Sequence, residues 1–93
     1  MPIVVKVPTQ LRTFTAGRAC VTADGETVSE ALANLGRNHP GVLQRIVDDE
    51  GAIRRFVNIY VDEENVRFLE GLDTKLDEGN VLAIIPAVAG GSR

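Results

Sequence analysis

The chain has 93 residues, of which 44% are hydrophobic and 25% charged, and its formal net charge is −3 at pH 7. This length suits one domain with a single core and leaves no room for two lobes around a cleft. The negative charge argues against a nucleic-acid or anionic-membrane surface. One cysteine, Cys20, excludes an internal disulfide. Without a signal-peptide pattern or the roughly 20 apolar residues of a membrane span, we expect a cytoplasmic protein.

Two strands are predicted in the first quarter of the chain. Residues 3–7 alternate in the way that a half-buried strand requires, and Pro8 closes the run. Residues 18–23 form the second predicted strand. Between them, residues 8–17 contain a proline, several threonines and a glycine, which favours a loop or a wide hairpin.

One main helix is predicted to follow. Thr27 and Glu30 have the spacing of a capping box, in which the Thr27 hydroxyl accepts from the Glu30 amide and the Glu30 carboxylate accepts from the Thr27 amide. Gly36 and Pro40 bracket the predicted end of the helix, and residues 42–47 suit a short helical turn. The apolar stripe of the helix consists of Val28, Ala31, Leu32 and Leu35.

The second half of the chain predicts further strands. Residues 54–61 alternate clearly, with Val57, Ile59 and Val61 on one face. After a turn at 62–65, residues 66–68 suit a short edge strand, and a helical turn is predicted at 74–76. Residues 81–85 are apolar throughout, which suits a central strand buried on both faces.

The chain ends in a glycine pair that follows a proline. Pro86 stops the last strand, small residues lead to Gly90 and Gly91, and Ser92 and Arg93 follow. Glycine has no Cβ, so a chain end of this kind fits an active site too narrow for any side chain. We therefore predict an α+β domain over residues 1–86 and a flexible C-terminal tail over residues 87–93.

Several segments resemble the β-grasp sulfur carriers of the ThiS and MoaD type: residues 86–91, residues 55–61 followed by an acidic turn and residues 66–68, and residues 8–12. The resemblance spans essentially the whole chain and is strongest to the CysO branch, whose carriers serve cysteine biosynthesis. It implies a ubiquitin-like β-grasp fold, a mixed sheet of four to five strands with one main helix on one face. It also implies a protein cosubstrate without catalytic residues, and not an enzyme.

The same resemblance implies a chemistry for Gly91. An adenylyltransferase and sulfurtransferase of the ubiquitin-activating type uses ATP to adenylate the Gly91 carboxylate, and sulfur then replaces AMP to give 1-thioglycine. The carrier itself needs no bound cofactor and no metal. Ala89 and Gly90 thread the tail into the active sites of the partners. A sulfur-accepting synthase, which is cysteine synthase-like in the CysO branch, consumes the thiocarboxylate.

Ser92 and Arg93 depart from this family pattern, because active carriers of the type end at the second glycine. We therefore expect cleavage of the bond between Gly91 and Ser92. By analogy with other extended carriers, a zinc metalloprotease of the JAMM type is the expected enzyme. The alternative interpretation is that the last two residues are a remnant of cloning.

A docking surface is predicted on the open face of the sheet. Phe56, Tyr60 and Ile85 would form an apolar patch there, with Pro86 and Val88 beside it, and such patches mark partner interfaces. The resemblance implies that this face docks on the activating enzyme and on the sulfur-using enzyme. The alternative is that these side chains complete the packing beneath residues 69–79.

Other residues that suggest chemistry are interpreted as structural. Cys20 is expected to be a small strand residue, and His39 a polar residue at the helix end. The acidic runs 48–50 and 62–64 lack calcium-loop spacing and are expected to be solvated turns. Three other functions stay open: a ubiquitin-like modifier joined to lysine through Gly91, a MoaD-like subunit of molybdopterin synthase, and a plain β-grasp interaction module.

Overall fold

The computed structural model describes residues 2–86, and the strands in this range form one mixed five-stranded sheet. The strands are β1 (Pro2–Lys6), β2 (Cys20–Asp24), β3 (Val57–Val61), β4 (Glu64–Asn65) and β5 (Val81–Pro86). Their order in the sheet is β2-β1-β5-β3-β4. β5 is parallel to β1, and the other pairs are antiparallel.

Helical segments connect the strands. The main helix α1 (Val28–Asn38) precedes the single turn α2 (Leu43–Ile46), and 3₁₀ helices lie at Thr9–Thr15, Val66–Phe68 and Gly71–Asp73. A mixed sheet packed on one face by one main helix is the β-grasp architecture that the sequence predicts. The predicted tail, residues 87–93, lies outside the described residues.

The core lies between α1 and one face of the sheet. In β3, Val57, Ile59 and Val61 are buried while the residues between them are half exposed, so the predicted alternation is confirmed. The predicted apolar stripe of α1 is buried as well. Burial of these complete side chains is the main contribution to stability, at about 1.5–3 kcal/mol for each Val, Leu or Ile.

One of the two hydrogen bonds of the predicted capping box is present, and the other is not. The Thr27 hydroxyl accepts from the Glu30 amide at 3.2 Å, as predicted. The Glu30 carboxylate accepts from the amide of Glu26 at 2.9 Å, and not from that of Thr27. The physical reason is a bridge between Thr27 and Lys75, which holds the chain before α1 extended and brings the Glu26 amide to the carboxylate.

The predicted end of α1 is confirmed, because the helix ends at Asn38, between Gly36 and Pro40. A Cβ on Gly36 would lie 3.0 Å from the Cβ of Leu43, tighter than ordinary van der Waals contact. The glycine therefore allows α2 to pack closely against α1 and does not terminate the helix. The predicted helical turn within residues 42–47 is confirmed as α2.

Residues 9–15 form a 3₁₀ helix where a loop was predicted. Leu11 is buried and Phe14 packs against the core, a spacing of three that matches the 3₁₀ period. The buried Thr15 hydroxyl lies 3.2 and 2.9 Å from the carbonyl oxygens of Arg12 and Arg18. These contacts order the segment.

The edge strand predicted at residues 66–68 lies instead at Glu64–Asn65, as β4. The turn before it is shorter than the predicted turn at 62–65. Asp62 and Glu63 both have positive φ, 49° and 82°, and form a two-residue turn. Val66–Phe68 is a 3₁₀ helix whose cap is the Asn65 side chain, which accepts from the Arg67 amide at 2.9 Å. The helical turn predicted at 74–76 is wrong as well, since Gly71–Asp73 is helical and Lys75 bridges Thr27.

β5 is central in the sheet, as predicted, but it is not buried on both faces. Leu82 and Ile84 are buried beneath α1, whereas Ile85 is 49% exposed. The reason is that the described helices that pack on the sheet cover only one of its faces. The apolar outer residues of β5 are therefore a surface feature.

Candidate docking face and tail exit

The predicted chemistry falls on residues outside the described part of the chain. The roles predicted for this segment stay predictions; they concern Val88, Ala89, Gly90, Gly91 and Ser92. The structure describes the chain as far as the end of β5 at Pro86, the point from which the predicted tail continues and which we call the exit. There Pro86 lies opposite Val57 of β3.

The two neighbours of β5 support its end unequally. β1 pairs with β5 only as far as Lys6 and Ala83, while β3 pairs with β5 all the way to Pro86. Beyond Lys6 the chain turns toward β2, and the Val7 amide donates to the carbonyl of Ala19 at 2.7 Å. The last residues of β5 are therefore held by β3 alone, and an open concavity replaces the missing strand. Its lining includes Val7, Pro8, Gln10, Arg12, Ile85 and Pro86.

Two arginines brace this exit from opposite sides. Arg67 donates through one Nη to the carbonyl oxygens of Arg54 at 2.9 Å and Val57 at 2.8 Å. Arg12 donates through Nε to the carbonyl of Val7 at 3.1 Å. Hydrogen bonds from a charged donor are stronger than neutral ones. They fix the backbone on both sides of the point where the tail begins.

The open sheet face carries a second concavity of about 480 Å³. Tyr60 and Lys6 are both strand partners of Ala83. Ile85 lies two residues after Ala83 in β5 and therefore on the same face of the sheet. The lining of this concavity includes Tyr60, Val81, Ala83 and Ile85 together with Lys6, Asp62 and Glu63. The structure thus brings the predicted Tyr60 and Ile85 together on one face.

The other predicted docking residues lie near this face without sharing the concavity. Pro86 lines the neighbouring concavity, and Phe56 lies in the turn before β3 with its side chain 51% exposed. Residues 69–79 contribute to neither concavity, and they leave Phe56 and Ile85 about half exposed. The docking role itself stays a prediction.

Three exposed apolar residues were missed in the sequence: Val4, Phe68 and Leu69. Val4 is 41% exposed and pairs with Val81, so it extends the open face. The signal for Val4 was present, since burial of Ile3 and Val5 forces the residue between them outward. Phe68 is 86% exposed on the 3₁₀ helix Val66–Phe68. The strand predicted at 66–68 does not indicate this exposure.

A model of the ThiS family matches residues 5–91 of the sequence. The chain belongs to the ThiS family. The sulfur carrier protein CysO of Mycobacterium tuberculosis is 43% identical to it over 93 aligned residues, which cover 98% of this chain and 100% of CysO. The predicted resemblance to ThiS-type carriers of the CysO branch is therefore confirmed.

Solved structures agree with this assignment. A chain in the Amycolatopsis orientalis BexX/CysO complex superposes with a TM-score of 0.90 at 44% identity, covering 96% of this chain and 99% of that one. SAMP1 of Haloferax volcanii, a small archaeal modifier protein, gives a TM-score of 0.81 at 28% identity and covers 98% of this chain and 100% of its own. The predicted β-grasp fold is confirmed, and the chain stands among small sulfur carriers that are protein substrates and not enzymes.

The acidic turns are structural within residues 2–86. One Asp48 carboxylate oxygen accepts from the amides of Glu50 and Ala52 at 2.9 and 3.0 Å. Asp62 accepts from the Val81 amide at 2.8 Å and thereby fixes the start of β5. In the same range no group of three His, Cys, Asp or Glu side chains has an arrangement that suits a metal ion.

The remaining two residues singled out in the sequence lie at element ends. Cys20 is exposed as the first residue of β2, and its strand partner is Lys6. His39 follows α1, and its amide donates to the carbonyl of Leu35 at 2.9 Å. None of the helices among the described residues is long and apolar enough to cross a membrane.

Proposed function

We propose that this protein carries sulfur as a thiocarboxylate on Gly91. The observation that carries the proposal is the match to the ThiS family through residue 91, together with 43% identity to CysO over 98% of this chain and 100% of CysO. The position of the exit supports it, because β5 ends at Pro86 and only four residues separate that point from Gly91.

The chemistry follows from the poor reactivity of a carboxylate, whose leaving group would be oxide. An activating enzyme transfers AMP from ATP to the Gly91 carboxylate and releases pyrophosphate. Sulfide then attacks the acyl carbon and AMP leaves. With a persulfide donor the same attack gives an acyl disulfide, which a second thiol reduces to the thiocarboxylate while forming a disulfide with the donor. The product retains a nucleophilic sulfur on a main-chain carbonyl carbon, so the carrier needs no side-chain nucleophile and no bound cofactor.

Removal of Ser92 and Arg93 precedes this step. As long as they are present, the carboxyl group of Gly91 is part of a peptide bond and cannot be adenylated. The family match supports the proposal because it ends at Gly91 and leaves out the last two residues. Hydrolysis of the bond between Gly91 and Ser92 by a JAMM-type zinc metalloprotease would produce the active end.

The domain serves as a handle that keeps the reactive carbon at a distance. At about 3.3–3.6 Å per residue, an extended chain over residues 87–91 reaches roughly 17 Å. Ala89 and Gly90 enter the partner's active site while the folded part stays outside. Binding energy from the open face, including Tyr60 and Ile85, is then available to position the distant carboxylate.

Two kinds of enzyme would use this handle in turn. The activating enzyme loads Gly91, and a sulfur-accepting synthase, cysteine synthase-like by similarity to CysO, unloads it. A second candidate function is conjugation of Gly91 to lysine residues of other proteins. The specific observation in its favour is the structural similarity to SAMP1.

Intact-mass spectrometry tests the proposal. The chains 1–91 and 1–93 are each incubated with the purified activating enzyme, ATP and sulfide. The 1–91 chain should gain the mass difference between sulfur and oxygen, and the 1–93 chain should remain unchanged. Conversion of the 1–93 chain without loss of two residues would contradict the trimming step, and a ladder of conjugates would favour the modifier function.

A further inference from the structure

Charged residues are segregated along β5. Eight carboxylates flank the end of the sheet where β5 begins, and they belong to Asp24, Glu26, Glu30, Asp62, Glu63, Glu64, Asp77 and Glu78. Three segments near the other end, where the tail leaves, contain no aspartate or glutamate; these are residues 7–20, 39–46 and 52–57. The acidic run 48–50 lies between the last two of them, in the turn closed by the bridge between Val47 and Ile53. A chain with a net charge of −3 therefore has a basic tail-exit end.

Five arginines form this basic end, and we call them the arginine collar: Arg12, Arg45, Arg54, Arg55 and Arg67. Arg12 lines the concavity beside Pro86. Arg67 binds the carbonyl of Val57, the strand partner of Pro86. The collar therefore begins directly at the exit.

The other three members extend the collar away from Pro86. Arg54 and Arg55 lie three and two residues before Val57, the first residue of β3, which pairs with Pro86. Arg45 and Arg54 line a further open concavity together with Phe14. The guanidinium groups thus surround one end of the molecule and do not follow a single strand.

The collar arginines are held by neutral partners. Arg12, Arg54 and Arg67 donate to backbone carbonyls at 2.8–3.1 Å. Arg45 lies 5.7 Å from the ring centre of Phe14, and Arg55 lies 5.9 Å from that of Phe56. Among the contacts that the described part of the chain gives these five groups, none is to a carboxylate. The charges are oriented but not neutralised.

We propose that the arginine collar docks on an acidic protein surface that borders the entrance of the active site receiving the tail. This inference rests on the proposed function. Because residues 87–91 can reach at most roughly 17 Å, an enzyme that acts on Gly91 must approach the exit end closely. Carboxylates at its entrance would pair with guanidinium groups that already have fixed positions, and each has free N–H donors.

The opposite charges at the two ends give this docking a direction. An acidic entrance attracts the collar and repels the eight carboxylates at the far end, so electrostatic steering favours encounters with the tail leading. The same far-end carboxylates disfavour a nucleic-acid partner, whose long phosphate backbone would run past both ends. A protein surface of limited size avoids that repulsion.

The test compares two double variants of the 1–91 chain with equal charge change. Arg45→Glu with Arg55→Glu alters the collar at exposed side chains whose recorded contacts are only to rings. Arg37→Glu with Lys75→Glu alters exposed positions outside the collar. Adenylation by the purified activating enzyme is measured at about 50 and 300 mM NaCl, where screening differs strongly.

We expect the collar variant to raise KM about tenfold at low salt with unchanged kcat, and the difference to shrink at high salt. The control should stay within about twofold of the wild type. Equal KM values for the two variants would overturn the inference. Failure of the wild-type 1–91 chain to be adenylated would instead contradict the proposed function.

A second measurement tests the collar independently of adenylation. The ¹⁵N-labelled protein is titrated with a glutamate-rich peptide and, separately, with a DNA duplex. Amide shifts confined to the collar with the peptide, and lost in the collar variant, would support the inference. Tighter binding of the duplex than of the peptide would contradict the inference, and so would peptide-induced shifts spread over the whole surface.

Discussion

Arg67 donates a hydrogen bond of 2.8 Å to the carbonyl oxygen of Val57, ten residues earlier in the chain. The same Nη group reaches the carbonyl of Arg54. Val57 pairs with Pro86. Arg67, the second residue after β4, therefore supports the point where the tail begins. One side chain thereby connects the edge of the sheet to the end of its central strand.

Replacing Arg67 with alanine should loosen the tail exit. The change leaves two carbonyl oxygens without their charged donor, and we expect a loss of about 1–3 kcal/mol in the free energy of unfolding. Urea denaturation measures this loss, and hydrogen exchange at the Ile85 amide should accelerate. Arg55→Ala is the matched control, because its recorded contact is only to the Phe56 ring and its effect should stay below about 1 kcal/mol. Equal losses in the two variants would contradict the bracing role.

Glu63→Gly should stabilise the protein. Glu63 has a φ of 82° in the two-residue turn between β3 and β4, a region that glycine adopts without strain. Asp62 keeps its hydrogen bond to the Val81 amide, and an Asp-Gly pair is favoured in such turns. We expect a gain of about 0.5–1 kcal/mol in the free energy of unfolding.

The control for this change is Glu64→Gly, one residue later. Glu64 is also exposed but lies in β4, where glycine weakens a strand. It should lower the free energy of unfolding by about 0.5–1 kcal/mol. The two measurements should therefore differ in sign, and a loss of stability from Glu63→Gly would show that its side chain contributes more than its backbone strain costs.

Ile85→Ser should weaken docking without unfolding the domain. Ile85 is 49% exposed and lines the concavity on the open face, so its apolar surface is available to a partner. Loss of this contact, at about 25 cal/mol per Å² of apolar area, corresponds to a rise of roughly tenfold in KM for the activating enzyme. Steady-state adenylation of the 1–91 chain measures it, and the midpoint of thermal unfolding should change little.

Phe68→Ser provides the comparison for the docking face. Phe68 is even more exposed, at 86%, but it lines neither the concavity on the open face nor the one beside Pro86. The KM of the activating enzyme for the Phe68→Ser variant should stay within about twofold of its KM for the wild-type chain. If Phe68→Ser raised KM as much as Ile85→Ser, the interface would lie on the edge of the sheet near β4, and the predicted open-face docking would be wrong.

The sequence predicted the elements whose pattern is local. The alternation in β3 and the apolar stripe of α1 repeat with the period of their own structure, so no knowledge of their neighbours was needed. The glycine pair after Pro86 likewise needed only its position. The resemblance to ThiS-type carriers then predicted the topology that periodicity alone left open.

The errors arose where distant parts of the chain decide the structure. The Glu30 carboxylate accepts from the Glu26 amide and not from the Thr27 amide, because a bridge between Thr27 and the distant Lys75 holds the chain before α1 extended. The apolar run of β5 indicated burial on both faces, yet only one face lies under a helix. The collar was invisible in the same way, since its arginines meet only in three dimensions.

Cys20→Ser should leave sulfur transfer intact, because the proposed sulfur site is a main-chain carboxyl group and not a thiol. Cys20 is exposed at the start of β2, so the substitution removes no buried side chain. Thiocarboxylate formation on the 1–91 chain, measured by intact mass, should match the wild type within about twofold.

The paired variant is Gly91→Val on the same chain, which keeps a terminal carboxylate but adds a branched side chain beside it. A site shaped for glycine excludes that side chain, so adenylation should fall by at least about a hundredfold while the folded domain is unchanged. The two variants separate the alternatives for where sulfur is held. Loss of transfer in Cys20→Ser with the fold preserved would point to a thiol, and full activity of Gly91→Val would remove the need for a narrow channel and with it the reason for the glycine pair.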